Sequence, residues 1–283
     1  MITRRTAMAA IASAAALASP AGAQGETLRF ALTPVFLTSD LALLEALQAY
    51  LSSATGRPVE LITRRTYQEV TGLLIGSQAD GAWLCGFPYV QHRAQLELLA
   101  VPVWRGQPLY QSYLISTAGR GATSLDQLRG DIHAFSDPDS NSGYLVTAAE
   151  LARSEERPDQ FFKQSFFTYS HFNVVRAVAS GLAQSGSVDG YVYEVLKETN
   201  PELTGATEIV RPSEWFGFPP IVAPTSALAG EKSAVLRQAL LDMHTSPAGR
   251  LVLDMLRLDK FESEPPALFA SIEDNWDRVR ELS

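Results

Sequence analysis

One cysteine, Cys85, stands in a chain of 283 residues. A lone thiol cannot close an internal disulfide, so the fold must rest on its apolar core even in an oxidising compartment. Positive charge is scarce as well: 23 Lys and Arg face 31 Asp and Glu, a net charge of −8. An acidic surface without basic clusters disfavours nucleic acid and anionic membrane as partners. No basic residue lies between Asp131 and Arg153. The chain also lacks repeats, low-complexity tracts and long linkers. It has no metal-ligand spacing, no cysteine-centred motif and no paired catalytic carboxylates, so nothing in it asks for a cofactor. A thiol-imidazole pair of Cys85 with His92 or His171 is the one route to catalysis, and it has no motif behind it. The expectation is a binding protein, not an enzyme.

What is present begins with a leader. Arg4 and Arg5 precede an uncharged Ala-rich run to Pro20, and Ala21-Gly22-Ala23 has the small-x-small form of a cleavage site. Residues 1–23 therefore read as a secretory signal, with export by the general or the twin-arginine route left open. The run is too short and too rich in Ala to span a membrane. Without the two leader arginines the mature chain carries 21 basic and 31 acidic residues, a net charge of −10. About 260 mature residues suit one large domain or two lobes.

From Leu28 onward, strand-like and helix-like segments alternate. Leu28–Leu32, Pro58–Thr63 and Ala79–Cys85 read as strands. Helices are expected over 41–53, 66–76 and after Gly86. Thr66-x-x-Glu69 and Ser124-x-x-Gln127 have the form of capping boxes. Strands near 97–103 and 109–116 follow, the second a crossing into another lobe. Beyond them come strands at 131–135, 164–169, 187–190 and 208–211, and a helix over 174–180. Pro219–Ala223 reads as the return crossing, with helices to the end. The pattern predicts an α/β fold of mostly parallel sheets with helices on both faces, in which ligands lie beyond the carboxyl ends of the strands.

One turn carries chemistry. Ser136-Asp137-Pro138-Asp139-Ser140-Asn141-Ser142-Gly143-Tyr144 joins a short strand to a helix. Free N–H groups at a helix start carry partial positive charge, so such a turn can hold an anion without Lys or Arg. The alternative is an ordinary capped turn, because these residues are enriched at caps everywhere.

Several segments in order resemble the PhnD-like periplasmic solute-binding proteins of phosphonate, phosphite and phosphate transporters. They are Asp80-Gly81-Ala82-Trp83, Tyr110-Gln111-Ser112-Tyr113-Leu114, Asp137-Pro138-Asp139-Ser140-Asn141-Ser142-Gly143, Ser170-His171, Ala177-Val178-Ala179-Ser180-Gly181 and Val188-Asp189. The resemblance implies the two-lobed type II periplasmic binding protein fold with two hinge crossings. The expected boundaries are 24–115 for the first part of lobe 1, 116–217 for lobe 2 and 218–283 for the return to lobe 1. It further implies that Ser140, Asn141, Ser142 and His171 donate to an oxyanion opposite Asp189, with Phe36, Tyr67, Cys85, Tyr89 and Tyr110 on the first-lobe side. Trp215 stands just before the return crossing, where it could close over a ligand. The implied partner is an ABC transporter permease, with a monomeric binding protein. Two positions depart from the family: Asn141 replaces a hydroxyl residue, and Cys85 is foreign to phosphonate binders.

Those two departures, with Asp189, frame the alternatives. A carboxylate repels a fully deprotonated oxyanion but accepts from a protonated one or from an ammonium, so hydrogenphosphate, phosphite or an aminophosphonate suits Asp189 and sulfate does not. Asp189 and His171 can instead serve as helix caps, and Cys85 as a small buried apolar residue. If its sulfur faces the cleft, a second reading is an arsenite or metalloid sensor acting through Cys85 on a membrane histidine kinase.

Overall fold

The computed structural model describes residues 25–34, 41–226 and 230–282. The expected leader and Phe36 lie outside the described residues. The first half runs β1 (Leu28–Leu32), α1 (Leu41–Thr55), β2 (Val59–Thr63), α2 (Tyr67–Ile75), β3 (Gly81–Trp83), α3 (Gly86–His92) and β4 (Leu96–Val103). Next come β5 (Leu109–Thr117), β6 (Ile132–Phe135), a π turn (Asn141–Leu145), α4 (Val146–Ala152), α5 (Pro158–Phe161) and β7 (Gln164–Phe167). These are followed by α6 (His171–Ala179), β8 (Ser185–Asp189), α7 (Gly190–Thr199), α8 (Pro201–Gly205) and β9 (Thr207–Gly217). The chain ends with β10 (Ile221–Pro224), α9 (Gly230–Leu241), α10 (Pro247–Leu256), β11 (Lys260–Glu262) and α11 (Ala270–Glu281).

The strands form two sheets, in the orders β11-β4-β10-β3-β1-β2 and β7-β6-β8-β5-β9. Both are mixed rather than mostly parallel. The strands laid down by strand-helix-strand units are parallel: β1 with β2 and β3, and β6 with β7 and β8. Strands β5 and β10, which enter a sheet from the other one, run against their neighbours. The two connections lie side by side, since Phe218 N–H donates to Pro108 O at 2.9 Å. The outgoing one is pinned by a two-residue turn in which Arg105 and Gly106 both have positive φ and Trp104 and Gln107 exchange backbone bonds. That is the hairpin geometry in which glycine is favoured. The return connection is held by Trp83 Nε1, which donates to Pro219 O at 2.9 Å.

Local chemistry explains most boundaries. Thr66 accepts from Glu69 N while the Glu69 carboxylate accepts from Thr66 N, so the box that opens α2 is complete. Ser124 makes no such cap; Gln127 accepts from Thr123 N, and the segment is a single 3-10 turn over Leu125–Leu128. Helix α6 starts at His171, three residues before the expected Val174. Strand β9 continues through Pro212, past the expected end at Arg211. It is an edge strand with a register shift opposite Gln111–Tyr113, and there a residue without N–H costs little. The short elements α8 and β11 were not anticipated. No helix among the described residues is long and apolar enough to cross a membrane.

Candidate functional site

Five helical segments begin just beyond carboxyl ends of strands: α2 after β2, α3 after β3, the π turn after β6, α6 after β7 and α7 after β8. Their first residues meet between the two sheets. The turn after β6 is closed by its own side chains: Ser140 Oγ accepts from Gly143 N at 3.0 Å, and Leu145 N reaches Ser140 O at 3.0 Å. A π turn widens the first helical turn, a distortion common at functional sites. Ser140, Asn141, Ser142 and Gly143 are all buried. Gly143 is dictated by its surroundings: a Cβ there would sit 1.8 Å from Ser136 Oγ and 3.0 Å from His171 Cε1.

Two residues from the first-sheet side, Tyr67 and Cys85, face this turn, together with Tyr110, which stands on β5 of the second sheet and so not on the first-lobe side where it was expected. Cys85 Sγ accepts from Asn141 N at 3.3 Å, Tyr110 OH accepts from Asn141 Nδ2 at 3.0 Å, and Tyr67 OH lies 3.3 Å from His171 Nε2. Asp137 reaches back across, its carboxylate accepting from Tyr67 N at 3.2 Å and from Asp139 N at 2.9 Å. Burial raises the phenols of Tyr67 and Tyr110 well above their ordinary range. It also pushes the Cys85 thiol up to about 12, so the sulfur is a neutral thiol at neutral pH.

The histidine tautomer follows from its partners. Asp189 N–H donates to His171 Nδ1 at 3.1 Å, so Nδ1 is the bare nitrogen and the proton sits on Nε2. Burial brings His171 down to about 3, which keeps the ring neutral. Its Nε2–H can therefore donate to the Tyr67 oxygen, and the Tyr67 O–H proton is left for a further acceptor. Tyr110, accepting from Asn141, retains its own proton in the same way. Asp189 caps α7 by accepting from Val192 N at 3.1 Å and receives a long bond of 3.5 Å from Ser142 Oγ. Burial outweighs these donors and pushes its carboxyl up to about 7. Asp189 is thus the cap of α7, and it stands within the same cluster.

The inventory is a cluster of neutral donors with a carboxyl group that holds its proton near neutrality. Two buried polar atoms in it have no hydrogen-bond partner, Ser136 Oγ and Asn141 Oδ1. Such atoms carry a desolvation cost that a suitable guest would relieve. Among the described residues, no group of three or more His, Cys, Asp and Glu side chains could hold a metal ion.

The structure brings together Tyr67, Cys85, Tyr110, Ser140, Asn141, Ser142, His171 and Asp189. Two expected members stand apart. Tyr89 turns its ring onto Phe269, 5.0 Å away between centroids, because its face of α3 packs beneath α11. Trp215 is 49% exposed: in β9 alternate residues face opposite sides, and it is Phe216 that pairs with Tyr110 inside. Ser136, Asp137 and Ser112 were not among the expected residues. Ser112 Oγ donates to Ser142 O at 2.6 Å. Its place two residues after Tyr110 on one strand was the available signal.

A family model described as "ABC transporter, phosphonate, periplasmic substrate-binding protein" matches residues 30–266. Solved structures with the same fold include the binding-protein component of an ABC phosphonate transporter from Pseudomonas aeruginosa. It is 22% identical at a TM-score of 0.82, with 90% of this chain and 87% of that chain covered. PhnD1 from Prochlorococcus marinus in complex with methylphosphonate is 18% identical at a TM-score of 0.81, over 90% and 98%. A Xanthomonas citri protein bound to ATP is 17% identical at 0.71, over 90% and 98%. At such identities the likeness fixes the fold and leaves the ligand open.

Proposed function

Because this chain belongs to the family of periplasmic substrate-binding proteins of phosphonate ABC transporters, we propose that it captures a small phosphorus oxyanion between its two sheets and hands it to a transporter permease. Its fold is that of type II periplasmic binding proteins, two mixed sheets flanked by helices. Members of the family are substrate-binding proteins, not enzymes. The transport reading fits this family, and the metalloid-sensor alternative is not favoured by it; a thiol held neutral by burial is also a poor soft ligand.

The observation that carries the reading is the meeting of hydroxyl, phenol, imidazole and helix-start N–H donors at one buried point. In this scheme Tyr67, Tyr110, Ser136 and Ser142 donate to the oxyanion, and His171 positions Tyr67. Asp189 shares a proton with the ligand, which favours an anion that retains one. The lobes are residues 24–108 with 218–283, and 109–217, hinged at the two adjacent connections. This places the first boundary earlier than residue 115, in keeping with the sheet that β5 joins. Closure is driven by bonds that exist only when turn and first-lobe residues meet. The chain acts as a monomer after removal of residues 1–23.

A thermal-shift panel on the mature protein tests this with phosphate, phosphite, methylphosphonate, aminoethylphosphonate, sulfate and arsenite. Stabilisation by phosphorus oxyanions without response to sulfate supports the proposal. Stabilisation by arsenite alone, lost in Cys85→Ala, would replace it with the sensor reading.

A further inference from the structure

Behind the donor cluster, the core of the second sheet holds a polar seam. Ser185, Ser187 and Asp189 are alternate residues of β8 and so share one face of the strand. Each meets a polar side chain across that face. His133 Nδ1 lies 2.8 Å from Ser185 Oγ, and His133 Nε2 lies 2.9 Å from Ser187 Oγ. Ser187 Oγ in turn lies 2.7 Å from Thr147 Oγ1, and Ser142 Oγ donates to the Asp189 carboxyl at 3.5 Å. His133, Thr147, Ser185 and Ser187 are all fully buried. Aromatic rings close the seam, for the imidazole of His133 stacks on Phe162 at 4.1 Å between centroids and meets Phe135 edge-on at 4.6 Å. Burial holds this imidazole neutral, so one ring nitrogen donates and the other accepts, and each faces a hydroxyl able to take either role.

We propose that His133 is a positioning residue of the oxyanion site, fixing through Ser187 and Thr147 the spacing between the turn after β6 and Asp189. This rests on the oxyanion reading above and adds to it the groups that hold its donors in register. None of His133, Thr147 and Ser187 is among the proposed oxyanion donors. Apolar side chains of similar volume would fill the same space without the cost of burying hydroxyls and an imidazole. What the polar set adds is geometry, since a hydrogen bond fixes both length and direction where apolar contact does not. The places it joins are those the site needs. His133 stands on β6 just ahead of Ser136, Thr147 opens α4 directly behind the π turn that carries Ser142, and Ser187 precedes Asp189 on β8.

Calorimetric titration of the mature protein with methylphosphonate, beside melting curves without ligand, tests the proposal on His133→Phe, His133→Gln and Thr147→Val. His133→Phe keeps a flat ring against Phe162 and removes both ring nitrogens. Thr147→Val keeps the shape of the side chain and removes the last link. Both should bind about tenfold more weakly than the wild type while still folded at the titration temperature. His133→Gln carries an amide that can meet Ser187 and should recover most of that loss. A role in packing alone gives lower melting temperatures with wild-type affinity in the folded variants, and that result would overturn the proposal. So would a loss in His133→Gln as large as in His133→Phe, which would assign the effect to the ring. If circular dichroism shows His133→Phe unfolded, Thr147→Val decides, since wild-type affinity there contradicts a tie through that hydroxyl. Failure of the wild type to bind methylphosphonate, phosphite or phosphate would instead overturn the oxyanion reading itself.

Discussion

Asp189 and His171 show how burial sets the chemistry of single side chains. In the folded protein the Asp189 carboxyl holds its proton to about pH 7. An unfolded aspartate releases it near 4. The folded state therefore binds the extra proton between those values, and the stability this gives is lost as the pH rises through about 7. His171 and His133 have the opposite sign. Both are brought down to about 3 by burial, so the unfolded chain takes up their protons first and stability is lost as the pH falls from about 6.5 towards 3. Asp189→Asn keeps an N-cap acceptor for Val192 N and removes the titration. From pH 5 to about 6.5 the two histidines outweigh the single carboxyl, so denaturant midpoints should rise with pH in the wild type and rise more steeply in the variant, which lacks the opposing contribution of Asp189. A variant that keeps the wild-type slope would assign that slope to other groups. At this scale much of the site was legible: hydroxyls, Asn141, His171 and Asp189 declare themselves by type and place. The orientation of Tyr89 and Trp215 was not, because which face of a helix or strand turns inward depends on partners distant in sequence.

Helix starts are the working elements. The capping box at Thr66 fixes where α2 begins and thus where Tyr67 stands, with its N–H on Asp137 and its phenol on His171. Thr66→Ala should cost about 1 kcal/mol in unfolding free energy and should also weaken methylphosphonate binding, because Tyr67 is the next residue. Equal affinity in the variant would mean that the box stabilises the helix without placing the phenol. The two expected boxes show what sequence can and cannot reveal. Thr66 and Glu69 sit at the head of a nine-residue helix that rewards the full motif, whereas Ser124 precedes and Gln127 lies within a single 3-10 turn, where Thr123 N competes for the glutamine. Strand β9 runs past its expected end at Arg211 for the converse reason. The lack of an N–H at Pro212 ends a central strand but not an edge strand at a register shift.

At the scale of the whole molecule, alternation of strands and helices was enough to expect two α/β layers joined by crossings, since each strand-helix-strand unit is local. The reversed strands β5, β10 and β11 were not legible, because direction within a sheet depends on which sheet a strand joins. That same exchange gives the molecule two adjacent connections at residues 104–108 and 218–220, and it sets the turn after β6 against Tyr67, Cys85 and Tyr110. A phosphorus oxyanion is proposed to be held there by neutral donors without any Lys or Arg. A crystal structure of the mature protein grown with methylphosphonate tests it most directly. Phosphonate oxygens are expected within hydrogen-bond distance of Ser142, Tyr67 and Tyr110. A ligand bound elsewhere, or gripped by a Lys or Arg side chain, would contradict it.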